Sequence, residues 1–287
     1  MRRYKFSVLD NLKLKSYAKI NLYLHVLNKR DDGFHNISSL LSRIDLYDSI
    51  TFEKSEIFEV EYSGPEGNKV SNDNITQLIT YLKNEKIIDE LNYRIKINKN
   101  IPIGAGLGGG SSNVASIIRV LVENKIINEG VDVINIAKLM GSDIEFFLYD
   151  KAAIIEGKGS IARLFEIQEP IIILLVNPGV NLSTKKVFET NNLFSANFRA
   201  EETLNNNLNK LFKITHNDLE DAAIKLCPDI GKIKDEISKQ KGLIASRMTG
   251  SGSSYFAIFE DRNATLLAEQ QIKNYNSNWW TSIVTTI

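Results

Sequence analysis

The sequence has little cysteine, little histidine and no net charge. Cys227 is the only cysteine, so no disulfide can form within the chain, and a reducing compartment, the cytoplasm, is expected. Beside Pro228 it reads as a small core residue, with nothing nearby to mark a nucleophile. The three histidines, His25, His35 and His216, are scattered, with no cysteine or acidic partner at metal-ligand spacing. That argues against a protein-ligated zinc site, and no metal-ligating residue is expected. Lys plus Arg and Asp plus Glu both number 35. No global field therefore favours nucleic acid or an anionic membrane, and any anion site must be local. No apolar run approaches the roughly 18 residues that a membrane span needs. The basic start (Arg2, Arg3, Lys5) is soon interrupted by polar residues and is not expected to be a signal peptide. What is present is a 287-residue chain, 43% hydrophobic and 24% charged. It is long enough to bury a full core as one large domain or two ordinary ones.

Periodicity outlines the elements. Ala18, Ile20, Leu22, Leu24 and Val26 alternate with Lys19, Asn21, Tyr23, His25 and Leu27, which predicts a strand with Lys19 and Asn21 on the same face. Asp31-Asp32-Gly33 predicts a turn. Ser49 to Tyr62 reads as further strand, Asn74 to Leu82 as helix, and Tyr93 to Ile97 as strand. Val114, Ile117, Ile118 and Leu121 fall on one helical face. A helix over Ile134 to Met140 is expected to end at Gly141 as its C′ residue. A short helix is then expected from Ser142, with Glu145 completing a capping box. Ile171 to Val176 predicts a buried strand, Asp218 to Leu226 a helix and Tyr255 to Phe259 a strand. The asparagine-rich stretch from Asn191 to Asn207 reads as a mobile surface segment. Strands and helices mix without a strict βαβ rhythm, which suggests an α+β fold. The division into two domains is placed near Glu166 to Glu169, giving 1–166 and 167–287.

Between the strand ending near Ile97 and the helix that follows lies Pro102-Ile-Gly-Ala-Gly-Leu-Gly-Gly-Gly-Ser-Ser-Asn113, with five glycines among the seven residues from Gly104. Backbone recognition of phosphate needs amides aimed at one point with no side chains in the way, and glycine allows both the turn and the close approach. A helix start adds partial positive charge. Gly104-x-Gly106-x-x-Gly109 matches the dinucleotide fingerprint, but no leading βαβ unit and no later acid support that reading. Gly104 and Gly109 have Walker-type spacing, but Gly110 stands where the lysine is required, which excludes a standard P-loop. A flexible linker would not sit between a strand and a strongly periodic helix.

A kinase also needs a base for the accepting hydroxyl. Asp143 is the best candidate, although acids are common at helix starts and pattern alone favours that plain reading. Lys19 is by default a solvated lysine on a half-exposed strand. His35 is by default a surface-loop histidine, and Phe34 a packing aromatic.

Several separated motifs then agree in order: Ala18-Lys-Ile-Asn-Leu22, Asp32-Gly-Phe-His35, Asp73-Asn-Ile75, Pro102 to Asn113, Gly141-Ser-Asp143, Asn177-Pro-Gly-Val180, Asn217-Asp-Leu-Glu220 and Thr249-Gly-Ser-Gly252. From about Lys15 to Phe259 the chain resembles the GHMP kinase superfamily. The resemblance implies two α+β domains, a ribosomal S5 domain 2-like N-terminal domain and a ferredoxin-like C-terminal domain, with the site in the cleft between them. It implies ATP as co-substrate, with Mg2+ bridging phosphate oxygens, and a small-molecule alcohol as acceptor. With no net charge, neither nucleic acid nor membrane is expected as a partner, and monomer and homodimer both stay open. By the same resemblance Asp143 is the base, and Lys19 stabilises the carboxylate and the developing alkoxide. Asn21 positions the substrate, while Phe34, His35 and Phe188 hold a cytosine ring. Asn74 and Lys99 line the adenine pocket. Pro102, Ile103, Gly104, Ala105, Gly106, Leu107, Gly108, Gly109, Gly110, Ser111 and Ser112 wrap the ATP phosphates. The chain departs from the family pattern at Phe34, commonly Tyr, at Asn36, usually Glu, at Ile144-Glu145, often aliphatic-Pro, and at Asn177, frequently His. None of these removes a proposed catalytic group.

Overall fold

A computed structural model describes residues 9–196, 198 and 208–287. Most of the asparagine-rich stretch expected to be a mobile surface segment (197 and 199–207) lies outside the described residues. The main elements are β1 (Lys13–Lys29), β2 (His35–Lys54), β3 (Glu59–Ser63), α1 (Asn74–Asn84), β4 (Tyr93–Asn98), α2 (Gly109–Glu123), α3 (Val133–Met140) and α4 (Ile144–Phe147). They continue as β5 (Ala152–Gly157), β6 (Ser160–Phe165), β7 (Ile172–Asn177), α5 (Thr184–Thr190), α6 (Leu208–Ile214) and α7 (Glu220–Leu226). The last five are α8 (Pro228–Ser238), β8 (Leu243–Met248), β9 (Tyr255–Phe259), α9 (Arg262–Tyr275) and β10 (Trp280–Thr285). Two compact units interleave along the chain. The first takes the stretch up to Ala18, Leu46–Ile103 and Gly109–Asp150; the second takes Lys19–Asp45, Gly104–Gly108 and Lys151–Ile287. These units do not follow the expected division near residue 166. The reason is the length of β1 and β2, 17 and 20 residues, which lets each strand contribute to both units.

In the first unit, β4 pairs in parallel with β3 and antiparallel with the Ser49–Lys54 part of β2. Tyr93, Ile95 and Ile97 are buried, as their alternation requires. Between them, Arg94 pairs with Glu59 and Glu61, and Lys96 with Glu53. Helix α1 buries Ile75, Leu78, Ile79 and Leu82. Each such side chain contributes about 1.5–3 kcal/mol on full burial. Asp73 caps the helix by accepting from the amides of Ile75 and Thr76, a contact worth about 1 kcal/mol. Helix α2 buries Val114, Ile117, Ile118 and Leu121, the stripe expected from the sequence.

In the second unit, Ile37–Leu41 of β2 pairs antiparallel with β5, and β5 with β6. A separate antiparallel sheet has the order β10-β7-β9-β8. Leu174, Val176, Tyr255 and Ala257 share a core with Ile230 and Ile233 of α8 and Ile272 of α9. One face of this sheet therefore carries helices, as an α+β layer requires.

Local expectations fail at four places. The stretch from Ser49 to Tyr62 is not one strand, because residues 55–58 interrupt it. Gly141 is not a left-handed C′ residue; its φ of 161° is extended backbone. The capping box at Ser142 does not form: Asp143, not Ser142, is the N-cap of α4, and buried Glu145 turns to Lys138, with its Oε2 3.4 Å from Nζ. Finally, both faces of β1 are buried from Ala18 to Val26. Lys19 is 3% exposed and is no solvated surface lysine.

Candidate active site

A buried lysine needs a compensating partner. Lys19 Nζ donates to Asn21 Oδ1 at 2.6 Å, and Asn21 Nδ2 donates to Ser39 Oγ at 2.8 Å. Ser39 Oγ in turn donates to the Tyr23 carbonyl. The chain of bonds fixes the Asn21 amide and, through it, the ammonium. The backbone of β1 ties the same residues to the glycine segment. Lys19 N donates to Leu107 O at 3.0 Å, and Asn21 N to Thr249 Oγ1 at 2.8 Å.

The segment Gly104–Gly108 alternates anchors and glycines. Ala105 and Leu107 are buried, while Gly104, Gly106 and Gly108 have φ of 64°, 75° and 69°. At Gly106 a Cβ would stand 2.4 Å from the Thr249 carbonyl oxygen, so only glycine fits between the two turns. The second turn, Thr249–Gly252, is held by Asn217, whose Nδ2 donates to Met248 O at 2.8 Å and Gly250 O at 2.9 Å. Asn177 does similar work: Nδ2 donates to Ser254 Oγ at 2.9 Å, and Oδ1 accepts from Gly179 N at 2.7 Å. Among the described residues, no amide from Gly104 to Gly108 donates to a protein acceptor. Such a run of unspent donors can bind an anion.

A different pair of rings gathers at the start of β2. His35 stacks on Phe188, with centroids 5.1 Å apart and planes at 29°, and lies 6.3 Å from Phe194. Burial, and then the charge of Lys29, lowers its pKa below the ordinary 6.5. Phe34 is 61% exposed, with Lys158 Nζ 4.7 Å from its centroid. That ammonium lies 2.6 Å from Asp32 Oδ2, and it holds the Asp32 carboxyl down at about 2 against the small opposing effect of burial. Where the family usually has Glu, Asn36 accepts from Arg30 Nη1 at 3.0 Å and donates to Asn28 Oδ1 at 2.9 Å.

In the first unit, a buried network ties Asp48 to residues 99–101 and to the start of α2. The Asp48 carboxylate accepts from Lys99 Nζ, from Asn100 N at 2.8 Å, from Ile101 N at 3.0 Å and from Asn113 Nδ2 at 3.1 Å. Lys99 Nζ also donates to Asn113 Oδ1 at 2.8 Å. Asn113 Nδ2 reaches Ser16 Oγ at 2.9 Å, and Ser16 Oγ shares a proton with Ser112 Oγ at 2.7 Å. The Lys99 ammonium is thus committed to the protein interior. Ile103 N donates to Glu66 Oε2 at 3.2 Å. Pro102 and Ser111 are half-buried. Asn74, first residue of α1, approaches Gly110 so closely that a Cβ there would lie 3.5 Å from Asn74 Nδ2, and Gly109 packs on Ile101. Asp143 is half-buried, and its side chain makes no cap to α4, so the plain helix-start reading does not describe it.

The second unit therefore brings together Lys19, Asn21 and Gly104–Gly108, and separately His35 and Phe188. The first holds Asp143, Asn74, Lys99 and Gly109–Ser112. Sequence reasoning missed Asp48, which no local pattern distinguishes from any other strand acid, and Lys158, whose only signal is its place between Gly157 and Gly159. The three histidines are scattered in the sequence, but the fold gathers two of them beside an acid. His25, His216 and Asp218 offer ligand atoms within 4.8 Å of one another, although 191 positions separate the two histidines.

Family models, curated relatives and solved structures match the chain. The family described as GHMP kinases N terminal domain matches residues 73–151, and GHMP kinases C terminal matches 198–278. The chain is 33% identical to the 4-diphosphocytidyl-2-C-methyl-D-erythritol kinase of Thermodesulfovibrio yellowstonii, covering 96% of this chain and 98% of the relative. It is 34% identical to the same kinase of Pelagibacter ubique, covering 95% and 98%. A crystal structure of 4-(cytidine 5'-diphospho)-2C-methyl-D-erythritol kinase superposes with TM-score 0.74 at 26% identity, covering 95% of this chain and 99% of that one. The mevalonate kinase of L. major, at 14% identity and TM-score 0.71 over 97% of each chain, shares the fold.

Proposed function

The chain belongs to the GHMP kinases and, within them, to the 4-diphosphocytidyl-2-C-methyl-D-erythritol kinases, and on that premise we propose a site and mechanism for its reaction. The reaction is ATP-dependent phosphorylation of the 2-hydroxyl of 4-diphosphocytidyl-2-C-methyl-D-erythritol, a step towards isoprenoid precursors by the non-mevalonate route. The observation that carries the site is the buried, oriented Lys19 ammonium, whose backbone is bonded to the glycine segment.

The unspent amides of Gly104–Gly108 and the start of α2 take the ATP phosphates. Asn74 and the stem of Lys99 line the adenine site. Mg2+, when bound, neutralises phosphate charge. Ser111 would be the loop hydroxyl suited to such a hard cation, since the Ser112 hydroxyl is engaged by Ser16. Asp143 accepts the proton of the 2-hydroxyl, and Lys19 stabilises the developing oxyanion. Asn21 both fixes the Lys19 ammonium and presents its amide to the substrate. Phe188 and Phe34 supply faces for the cytosine, and His35 an edge able to hydrogen-bond it. Phe34 lacks the hydroxyl of the usual Tyr but keeps the stacking surface. The protein acts as a soluble cytoplasmic enzyme.

The test is phosphoryl transfer from ATP to the cytidylylated substrate against mevalonate, homoserine and galactose. The expected result is a strong preference for the first. Equal or better activity on any of the others would assign a different acceptor.

A further inference from the structure

The motif Asn217-Asp-Leu-Glu220 has one member with no place in the kinase site. Asn217 holds the second glycine turn, and Glu220 accepts from Met248 N at 3.0 Å. Asp218 turns instead to two histidines. Its carboxylate is fully buried, and His216 Nε2 lies 2.6 Å and His25 Nδ1 3.5 Å from Oδ1. The 3.5 Å separation is within ion-pair range but too long for a normal hydrogen bond. His25 is 1% exposed, and among the described residues neither of its ring nitrogens makes a hydrogen bond. Buried polar groups are rarely left so, and each exception calls for an explanation.

We propose that His25, His216 and Asp218 form a three-ligand site for one divalent transition-metal ion of the zinc class. The donors are two imidazole nitrogens and a carboxylate oxygen, the borderline set that zinc prefers. Tetrahedral ligation at zinc bond lengths separates neighbouring ligand atoms by about 3.3 Å. The pair His25 Nδ1 and Asp218 Oδ1 already stands at 3.5 Å. The shorter His216 contact must open by a fraction of an ångström, which a side chain 55% exposed can do. That exposure also gives the ion a route in and leaves a position for water. Outer bonds hold the carboxylate in place: Oδ2 accepts from Val26 N at 2.7 Å, and Oδ1 from Ser195 Oγ at 3.1 Å. Phe198 covers the His25 ring, with centroids 4.2 Å apart. The ion ties β1 to the 216–218 segment, which are already joined by Leu24 N to His216 O at 3.0 Å and Asp218 N to Leu24 O at 2.9 Å.

The experiment is calorimetric titration of Zn2+ into the metal-stripped full chain without nucleotide, with Co2+ absorption as a second reading of coordination. One ion per chain is expected, together with a melting temperature that rises with zinc concentration. His216→Ala changes an exposed side chain and leaves the fold intact. His25→Phe keeps a ring against Phe198. Changing even an outer-shell partner costs about 10–100-fold in affinity, so losing a ligand should cost at least that much. Absence of zinc uptake by the unaltered chain, or unaltered affinity in either folded variant, overturns the proposal. If His25→Phe does not fold, His216→Ala alone decides.

Discussion

Replacing Lys99 by Met separates two roles that the residue could have. Its Nζ is buried against Asp48 and Asn113, so the substitution removes the only cation that, among the described residues, faces this fully buried carboxylate. Breaking a buried pair from one side costs about 3–5 kcal/mol. Asp48 keeps three donors, from Asn100 N, Ile101 N and Asn113 Nδ2, which places Lys99→Met near the lower end of that range. Asp48→Asn strands the ammonium instead, turning an amide donor or a weak acceptor towards it, and should cost as much or more. The double variant removes both charges and should cost less than the two singles together. The coupling expected for such a contact is about 1–3 kcal/mol. Urea unfolding of the four proteins measures this cycle, and the KM for ATP measured below the transition gives the second readout. Bracing predicts a large loss of stability and a minor change in KM. A Lys99→Met stability within about 0.5 kcal/mol of the unaltered chain, as for an ordinary surface change, would refute the reasoning, most clearly if the KM for ATP rose at the same time.

Further outcomes follow from the same geometry. Gly106→Ala should cost far more than Gly33→Ala in melting temperature. Both have positive φ, but a Cβ at Gly106 meets the Thr249 carbonyl at 2.4 Å, whereas one at Gly33 meets nothing within 4 Å; strain alone is about 1 kcal/mol at each. Equal losses would contradict this. Phe34→Ala should raise the KM for the cytidylylated substrate with little effect on that for ATP, and an effect confined to ATP would show the pocket misassigned. His35 has its pKa lowered below 6.5 by burial and by Lys29. The folded state therefore disfavours protonation, and its stabilising contribution is lost as pH falls below that value. The substrate KM should be flat near neutral pH and rise on acidification, and His35→Gln should flatten the acid limb.

The residues proposed for the kinase site are legible in the sequence only as types and order. The alternation around Lys19 and Asn21 is plain in β1, but alternation normally marks one wet face. Burial of both faces comes from partners far along the chain, Ser39 and Thr249 among them. Asp143 stands out in the sequence only by its place at a helix start, and the expected box from Ser142 to Glu145 does not form, since Glu145 turns to Lys138 on α3. Asp48 gives no signal at all, since its donors at Lys99, Asn100, Ile101 and Asn113 are more than 50 positions distant. Helix α1 and the apolar stripe of α2 are legible because the residues that define them lie within one or two turns. Non-local pairing is also why the meeting of His25 with His216 and Asp218 escaped notice.

The central claim is tested most directly by single-turnover phosphoryl transfer to 4-diphosphocytidyl-2-C-methyl-D-erythritol in Asp143→Asn, with ATP affinity measured on the same protein. Loss of the base predicts turnover lower by roughly 10² or more, with ATP binding retained. Near-normal turnover would remove Asp143 from the mechanism.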